Sequence, residues 1–226
     1  MTPYYQDDQV TLYHGDCLEI TDWLAADVLV TDPPYGISHK QRFGSATNPR
    51  QQHYSYNVVA GDHNPALRDD TLALWGDKPA IVFGSWRIER PPKPFAVLVW
   101  HKAGAMPGQG RSAFMTAHEE IYVLGSGWRA SSPPLMSVLT TREHRPLQAR
   151  ETGHPTSKPI ALMERLIDRC PPGVIAEPFA GSGSTLIAAV NQGRKAIGVE
   201  LEERYCELIA NRLQNQTMTL DFSEGA

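Results

Sequence analysis

The sequence predicts a doubly wound α/β domain with a mostly parallel sheet of seven strands and helices on both faces. Seven short apolar runs are the candidate strands, and they lie at 10–13, 28–31, 80–83, 95–100, 121–124, 174–177 and 196–200. Helical patterns separate several of these runs, and strands that alternate with helices form parallel sheets covered on both faces. Three of the runs end at or beside an acidic residue, and a glycine-rich turn follows one of them.

Length and composition indicate one globular domain over residues 1–226. The chain is 41% hydrophobic and 20% charged, and its apolar runs are shorter than the roughly 18 to 20 residues that span a bilayer. The N-terminus lacks a basic segment followed by an apolar one, so we expect a cytoplasmic protein without a membrane segment. The three cysteines, Cys17, Cys170 and Cys206, form no C-x-x-C pair, so neither a disulfide framework nor a metal site is expected.

The run at 28–31 leads into T-D-P-P-Y at positions 31–35. Proline ends strands because it has no N–H to donate, so ordinary strand termination is one interpretation of this motif. From Gly36 to about Pro65 the sequence shows no convincing periodicity, and this stretch is too long for a plain connection in a compact domain. We therefore expect a functional loop directly after the motif.

The run at 174–177 leads into a glycine turn that contains Gly181 and Gly183, and a helical pattern follows until Gly193. The next run ends at Glu200, 19 residues beyond Gly181. An acid at the tip of that strand is placed to accept both ribose hydroxyls of an adenosine lying over the turn. A tight turn without a ligand is the alternative.

Leu186 stands where the third glycine of G-x-G-x-x-G would be, and the sequence contains no P-loop motif. Both observations count against a ligand whose pyrophosphate rests on the helix N-terminus. An adenosine ligand without phosphates fits better, and S-adenosylmethionine is the leading candidate.

The net charge of −4 conceals three basic stretches, at 36–60, 101–118 and 128–150, on an otherwise acidic chain. A concentrated basic face suits a polyanionic partner, and solvated loops are the alternative of equal weight. The candidate contacts to such a partner are Lys40, Arg42, Arg50, Lys102, Arg111, Arg129, Arg142 and Arg145.

Three ordered motifs carry a family resemblance. Asp32-Pro33-Pro34-Tyr35 resembles the catalytic D-P-P-Y motif of the amino-group DNA methyltransferases, and Phe179-Ala180-Gly181-Ser182-Gly183 resembles their F-x-G-x-G cofactor motif. His154-Pro155-Thr156-Ser157-Lys158-Pro159 is similar to their H-P-T-x-K-P segment, and 100–102 and 118–121 resemble further family features. The motif order is similar to that of the β group, and the resemblance covers about residues 10 to 213. It implies a Rossmann-like methyltransferase fold with a circularly permuted order.

The resemblance, read with the predicted sheet, implies the site residues. The catalytic residues would be Asp32, Pro33, Pro34 and Tyr35. The cofactor residues would be Asp16, Asp32, His154, Thr156, Lys158, Glu177, Pro178, Phe179, Gly181, Gly183, Ser184, Thr185 and Glu200. For Asp16, helix capping is an equal alternative to contact with the adenine amine.

The expected function is site-specific DNA methylation, in which S-adenosylmethionine donates a methyl group to the exocyclic amine of a flipped base, most of all adenine N6. The alternatives are cytosine N4, an amino group of protein or RNA, and a catalytically silent DNA-binding module. Double-stranded DNA is the expected partner, with 36–65 and 128–153 as candidate recognition loops. The DNA sequence recognised, a homodimer and a restriction endonuclease partner are left open by the sequence.

Overall fold

The computed structural model of the protein describes residues 1–35, 66–103, 114, 116–129, 133–142, 154 and 157–223. Within these ranges the strands are β1 (Tyr5–Gln6), β2 (Val10–His14), β3 (Val28–Thr31), β4 (Ala80–Gly84), β5 (Ala96–Lys102), β6 (His118–Leu124), β7 (Val138–Thr141), β8 (Ile175–Glu177) and β9 (Ala196–Glu200). The α-helices are α1 (Leu67–Trp75), α2 (Ile160–Ile167), α3 (Ser184–Asn191) and α4 (Glu203–Ser223), and a 3-10 turn spans Asp22–Ala25.

All described strands belong to one sheet with the order β1-β2-β9-β8-β3-β4-β6-β5-β7. The predicted fold class and the seven predicted strands are confirmed, but the predicted strand number was wrong because the described sheet has nine. The two additional strands are β1, which pairs antiparallel with β2, and β7, which pairs parallel with β5. Strand β7 lies inside the predicted recognition loop 128–153, so part of that segment belongs to the sheet.

The sheet reverses its direction of growth between β3 and β8. These two strands are parallel neighbours, with Val28 opposite Ile175 and Leu29 opposite Ala176. From β8 the chain continues through α3 to β9 on one side, and from β3 it continues to β4 on the other side. Parallel strands end at a common edge, here called the carboxyl edge, and ligands of such sheets bind where the order reverses.

The first long strand pairs with the last one. Strand β2 runs parallel to β9, with Val10 opposite Ala196 and His14 opposite Glu200. Helix α4 starts shortly after β9, so in an unpermuted chain it would connect β9 to the strand at the β2 position. This pairing confirms the circularly permuted order. Helix α4 continues to Ser223.

Two apolar layers cover the two faces of the sheet. On one face, Leu162 of α2, Leu186 of α3 and Ile209 of α4 pack into one cluster. On the other face, Trp23 and Trp75 stack with their ring centroids 5.8 Å apart. Helical structure therefore lies on both faces, as predicted for a doubly wound sheet. None of the helices in the described ranges has the length and apolar composition needed to cross a membrane.

Gly198 of β9 allows α3 to pack closely on the sheet. A Cβ atom at this position would lie 2.7 Å from Leu186 Cδ1 and 3.2 Å from Leu12 Cδ1. Both leucines are fully buried, so neither has free space to move into. The large side chain of Leu186 at the position of the missing third glycine is thus accommodated by a glycine on the neighbouring strand.

We predict that Gly198→Ala lowers the free energy of unfolding by about 1–3 kcal/mol, because the added methyl group overpacks this contact. Urea unfolding followed by tryptophan fluorescence would measure the change. Lys195→Ala, an exposed change just before β9, is the control and should stay within about 0.5 kcal/mol of the wild type. Equal stability of the two variants would contradict the close packing.

Candidate active site

A buried glutamate ties the carboxyl ends of β3 and β8 together. The Thr31 hydroxyl donates to Glu177 Oε1 at 2.5 Å, and the Thr185 hydroxyl donates to Oε2 at 2.7 Å. The Phe179 backbone N–H adds a third hydrogen bond to Oε1 at 3.1 Å. Glu177 is 2% exposed, and this burial raises the pKa of its carboxyl to about 8. The strand that carries Asp32 is therefore fixed against the strand that carries the glycine turn.

The glycine turn adopts backbone conformations that favour glycine. Gly181 has φ +52° and Gly183, the N-cap of α3, has φ +78°. A Cβ at Gly183 would lie 2.8 Å from Ile209 Cγ1, and a Cβ at Gly181 would lie 3.1 Å from His154 Nε2. The predicted glycines are thus required both by the backbone and by the space around them.

Glu200 lies beside this turn at the end of β9. Its Oε2 accepts the Gly181 N–H at 2.7 Å, and its Oε1 accepts the Glu202 N–H at 2.8 Å. The residue is buried, and burial raises the pKa of its carboxyl. Each oxygen retains further acceptor capacity after one hydrogen bond, so the carboxylate remains able to accept ligand hydroxyls.

Asp16 follows β2 at the same edge of the sheet. Its Oδ1 accepts the Leu18 N–H at 2.8 Å, and its backbone carbonyl accepts the Ile20 N–H at 2.8 Å. These two bonds close a turn at residues 16–20, and no helix begins there in the structure, so the helix capping that the sequence left as an alternative is wrong. Contact between Asp16 and an adenine amine stays a prediction.

The D-P-P-Y motif places Asp32 directly after β3, next to the glycine turn across the sheet. Asp32 Oδ1 accepts a hydrogen bond from the Tyr35 hydroxyl at 2.8 Å. Asp32 Oδ2 forms an ion pair with Lys158 Nζ. The Asp32 side chain is 21% exposed and that of Lys158 is 7% exposed. Both oxygens of the predicted catalytic carboxylate are therefore oriented by donors within the protein.

Lys158 belongs to a row of alternating charges. Its Nζ lies 3.5 Å from Glu119 Oε2, and the other oxygen of Glu119 forms an ion pair with Lys102. The ammonium group of Lys158 also lies 4.9 Å from the centroid of the Phe83 ring. Four charged side chains thus meet at the carboxyl edge. The two lysines come from β5 and from the segment before α2, and the two acids come from β6 and from the end of β3.

This row changes the interpretation of two predicted residues. Lys158 was predicted to contact the cofactor, and in the structure its ammonium group pairs with Asp32. Lys102 was predicted to contact DNA, yet its side chain is 13% exposed and lies 4.4 Å from the Trp100 ring centroid besides its pair with Glu119. Sequence reasoning missed Glu119 as a site residue, and the available signal was its position in the 118–121 feature, two residues before the predicted strand at 121–124.

The remaining predicted cofactor residues surround the glycine turn. His154 packs against Tyr205 with ring centroids 4.6 Å apart, and burial together with Lys158 and Arg204 lowers its pKa to about 4. His154 is therefore neutral near pH 7. Pro178 and Phe179 directly follow β8, and the buried Ser184 lies 3.1 Å from Ser182 through their hydroxyl oxygens. Thr156 lies outside the described residues.

The structure describes three of the predicted basic contacts, and of these Lys102 and Arg142 lie near each other at the carboxyl edge whereas Arg129 does not. Arg142 is exposed directly after β7, at the carboxyl edge. Arg129 follows the carboxyl end of β6, which is antiparallel to β4, and this places it near the opposite edge, where the Ser126 N–H donates to the Asp77 carbonyl at 2.9 Å. Outside the described residues lie Lys40, Arg42, Arg50, Arg111 and Arg145, together with the predicted loop 36–65.

Among the described residues, no group of three or more His, Cys, Asp or Glu side chains is arranged to hold a metal ion. The geometry instead joins a glycine turn and the buried carboxyl group of Glu200 to an oriented aspartate at the point where the sheet reverses. Open α/β sheets bind their ligands at such a point, so the carboxyl edge is assigned as the candidate ligand site.

Comparison with known proteins agrees with this assignment. A family model described as DNA methylase matches residues 128–212. The putative methylase YubD of Escherichia coli strain K12 is 30% identical over 214 residues, which cover 84% of this chain and 84% of that protein.

Two solved structures have a similar fold. The M1.HpyAVI complex with S-adenosylmethionine matches with a TM-score of 0.63 and 22% identity, covering 90% of this chain and 98% of that chain. The PvuII DNA methyltransferase, described as cytosine-N4-specific, matches with a TM-score of 0.60 and 17% identity, covering 92% of this chain and 87% of that chain.

The chain therefore belongs to the amino-group DNA methyltransferases, enzymes that methylate adenine N6 or cytosine N4 with S-adenosylmethionine as the methyl donor. The suspected family is confirmed, and the cofactor predicted from the glycine turn and the absent third glycine is the one that this family uses.

The raised pKa of Glu177 predicts a pH-dependent contribution to stability. A carboxyl with a pKa of about 8 in the folded state and about 4.3 in the unfolded state binds more protons when folded between these values. Its stabilising contribution is therefore complete below about pH 4.3 and is lost as the pH rises through about 8.

Glu177→Gln removes this titration, so the free energy of unfolding of the wild type should fall relative to that of the variant between pH 5 and pH 8. Chemical unfolding at a series of pH values would measure the difference. Glu207→Gln, an exposed change on α4, is the control. A difference between wild type and Glu177→Gln that stays constant with pH would contradict the buried protonation.

Proposed function

We propose that this protein transfers a methyl group from S-adenosylmethionine to N6 of an adenine extruded from double-stranded DNA. The observation that carries the proposal is the position of Asp32 at the end of β3, next to the glycine turn that follows β8. The hydrogen bond between Thr31 and Glu177 fixes these two elements to each other. A cofactor on the turn and a base at Asp32 would then meet at one edge of the sheet.

The residues around the turn fit an adenosine ligand. Gly181 and Gly183 present backbone without side chains, and the positions that Cβ atoms would take are closed by His154 and Ile209. Glu200, buried beside Gly181, would accept the ribose hydroxyls, because a buried carboxylate gains from every additional donor. When bound, S-adenosylmethionine supplies an electrophilic methyl group on a positively charged sulfur.

Asp32 and the carbonyl of Pro33 would accept the two N–H groups of the target amine. The lone pair of an exocyclic amine is delocalised into the ring, so the amine is a poor nucleophile until acceptors draw its nitrogen toward tetrahedral geometry. Because Pro34 has no N–H and favours an extended conformation at Pro33, the carbonyl of Pro33 has no competing donor beside it. Tyr35 offers an aromatic ring on which the extruded base can stack.

Lys158 and the Tyr35 hydroxyl orient the Asp32 carboxylate before a base arrives. Each of them engages one oxygen of Asp32, so the direction of the acceptor is set by contacts within the protein. Such preorganisation reduces the entropy lost when the target amine binds. In this proposal Lys158 acts on the catalytic aspartate, in addition to the cofactor contact that the family resemblance implies.

Adenine N6 is proposed over cytosine N4 because of the first motif residue. The family resemblance associates Asp at position 32 with adenine enzymes and Ser with cytosine N4 enzymes. The second candidate is cytosine N4, which is favoured by the likeness of the fold to the cytosine-N4-specific PvuII enzyme. The chemistry at Asp32 suits either amine, so direct product analysis decides between them.

We predict that Glu200→Ala weakens binding of S-adenosylmethionine by roughly 1.5–3 kcal/mol, the range for a lost hydrogen bond to a charged group. Isothermal titration calorimetry would measure the affinity. Glu202→Ala is the matched control, because it keeps the backbone N–H that donates to Glu200 and removes only the carboxylate paired with Arg204. Unchanged affinity in folded Glu200→Ala would exclude the ribose role.

We also predict that the wild type produces N6-methyladenine and that Asp32→Ala abolishes transfer while it keeps affinity for S-adenosylmethionine. Unmethylated plasmid DNA would be treated with each protein, digested to nucleosides and resolved by mass spectrometry. N4-methylcytosine without N6-methyladenine would transfer the assignment to the second candidate. Robust transfer by Asp32→Ala would contradict the mechanism.

A further inference from the structure

We propose that Trp86 and Arg87, in the connection between β4 and β5, form a contact to DNA beside the extruded base, with the Trp86 indole stacking on a neighbouring base. This inference rests on the proposed function, because it requires a duplex whose target nucleotide leaves the stack. Neither residue belongs to a motif of the family resemblance or to the basic stretches predicted from the sequence.

Trp86 lies at the same edge of the sheet as the catalytic motif. Strands β3 and β4 are parallel, with Thr31 opposite Val82, so Asp32 and Phe83 follow as the next pair. The ammonium group of Lys158, which pairs with Asp32, lies near the Phe83 ring and confirms this proximity. Trp86 comes three residues after Phe83, just beyond the carboxyl end of β4.

The indole is exposed although the chain around it is anchored. Trp86 is 58% exposed, a large apolar surface left in water at a considerable cost in hydration free energy. The Ile88 N–H donates to the Ser85 carbonyl at 3.1 Å, which closes a turn around Trp86. Buried Arg68 of α1 then donates to the Glu89 carbonyl at 2.7 Å. Trp86 is therefore exposed on a turn whose backbone is held by hydrogen bonds.

The charges of this connection suit a polyanion at Trp86. Arg90 forms a two-point ion pair with Glu120, so these two charges balance each other. Glu89 is the only acid among residues 85–95, and Arg87 and Lys93 are the basic residues of this range besides the paired Arg90. Arg87 stands next to the indole, with its guanidinium carbon 5.5 Å from the Trp86 ring centroid.

An aromatic ring with an adjacent guanidinium is the combination that single-stranded and unstacked nucleic acid binds. The ring stacks on a base face, and the guanidinium neutralises a phosphate. Extrusion of the target unstacks its neighbours, and a ring at this edge would restore part of the lost stacking. Trp86 would thereby favour the duplex with the base extruded.

The test compares DNA binding by variants at the two edges of the sheet. The probe is a fluorescently labelled duplex that carries the sequence found methylated by the wild type. Trp86→Ala should weaken binding and raise KM for the duplex by about tenfold, with unchanged affinity for S-adenosylmethionine. Trp86→Phe should restore most of the binding, because it keeps a stacking face.

The control for Trp86 is Phe95→Ala, which removes an aromatic ring that is 70% exposed before the start of β5, at the opposite edge. It should leave DNA binding unchanged. Arg87→Ala should lower the slope of log affinity against log salt by about 0.9, the value for one lost phosphate contact. Lys195→Ala, an exposed cation before β9 at the opposite edge, should leave that slope unchanged.

Equal binding by Trp86→Ala and Phe95→Ala would overturn the inference while leaving the methyltransferase function intact. Failure of the wild type to methylate any DNA would instead contradict the proposed function. A change of oligomeric state in Trp86→Ala on sedimentation, with DNA binding unchanged, would assign the indole to a protein interface and would also overturn the inference.

Discussion

The carboxyl group of Glu177 is the contact on which the geometry of the site depends. It lies between β3, which leads into the proposed catalytic aspartate, and β8, which leads into the glycine turn, and it is hydrogen-bonded to Thr31, Thr185 and the Phe179 backbone. Burying a carboxyl is costly, and the raised pKa of Glu177 reflects that cost. The cost is offset by the hydrogen bonds with these three groups.

The row of charges that ends at Asp32 complements this constraint. Lys102, Glu119 and Lys158 come from separate elements, and each carries the opposite sign to its neighbour in the row. A buried ion pair contributes little net stability, whereas removal of one partner leaves an uncompensated charge. The row is therefore better explained by orientation of the aspartate than by stabilisation of the fold. Lys158 links it to Asp32, which Tyr35 holds from the other oxygen.

The sequence predicted the parts of this structure that depend on local patterns. Seven strands were visible as apolar runs, and Gly181 and Glu200 were visible by their spacing along the chain. Strand β1 was missed because it has two residues, Tyr5 and Gln6, of which only the first is apolar. Strand β7 was missed because it is an edge strand of four residues in which only Leu139 is buried, so it contains no apolar run like those of the other strands.

The ion pairs were less predictable because they depend on the order of strands. Lys158 and Asp32 are far apart in the chain and meet only because β8 and β3 are neighbours and the segment before α2 crosses their ends. Charge counting assigned Lys102 to DNA, since a count of basic residues contains no information on which acid faces them. Trp86 was overlooked for the same reason, because its exposure follows from the turn that Arg68 and Ser85 anchor.

Asp32 already has hydrogen-bonding and ionic partners within the protein, and these partners affect the binding of a target base. A bare carboxylate at 21% exposure would have to lose water when the target amine arrives, and that desolvation would oppose binding. Here the Tyr35 hydroxyl already donates to Oδ1, so much of the desolvation occurs during folding. In the proposed mechanism, an incoming amine N–H would replace the tyrosine hydroxyl as the donor to Oδ1, and the tyrosine ring would then stack on the base. The motif would thus supply the acceptor and its initial partner within four residues, which would account for a buried strand that ends at an acid, two prolines and a tyrosine.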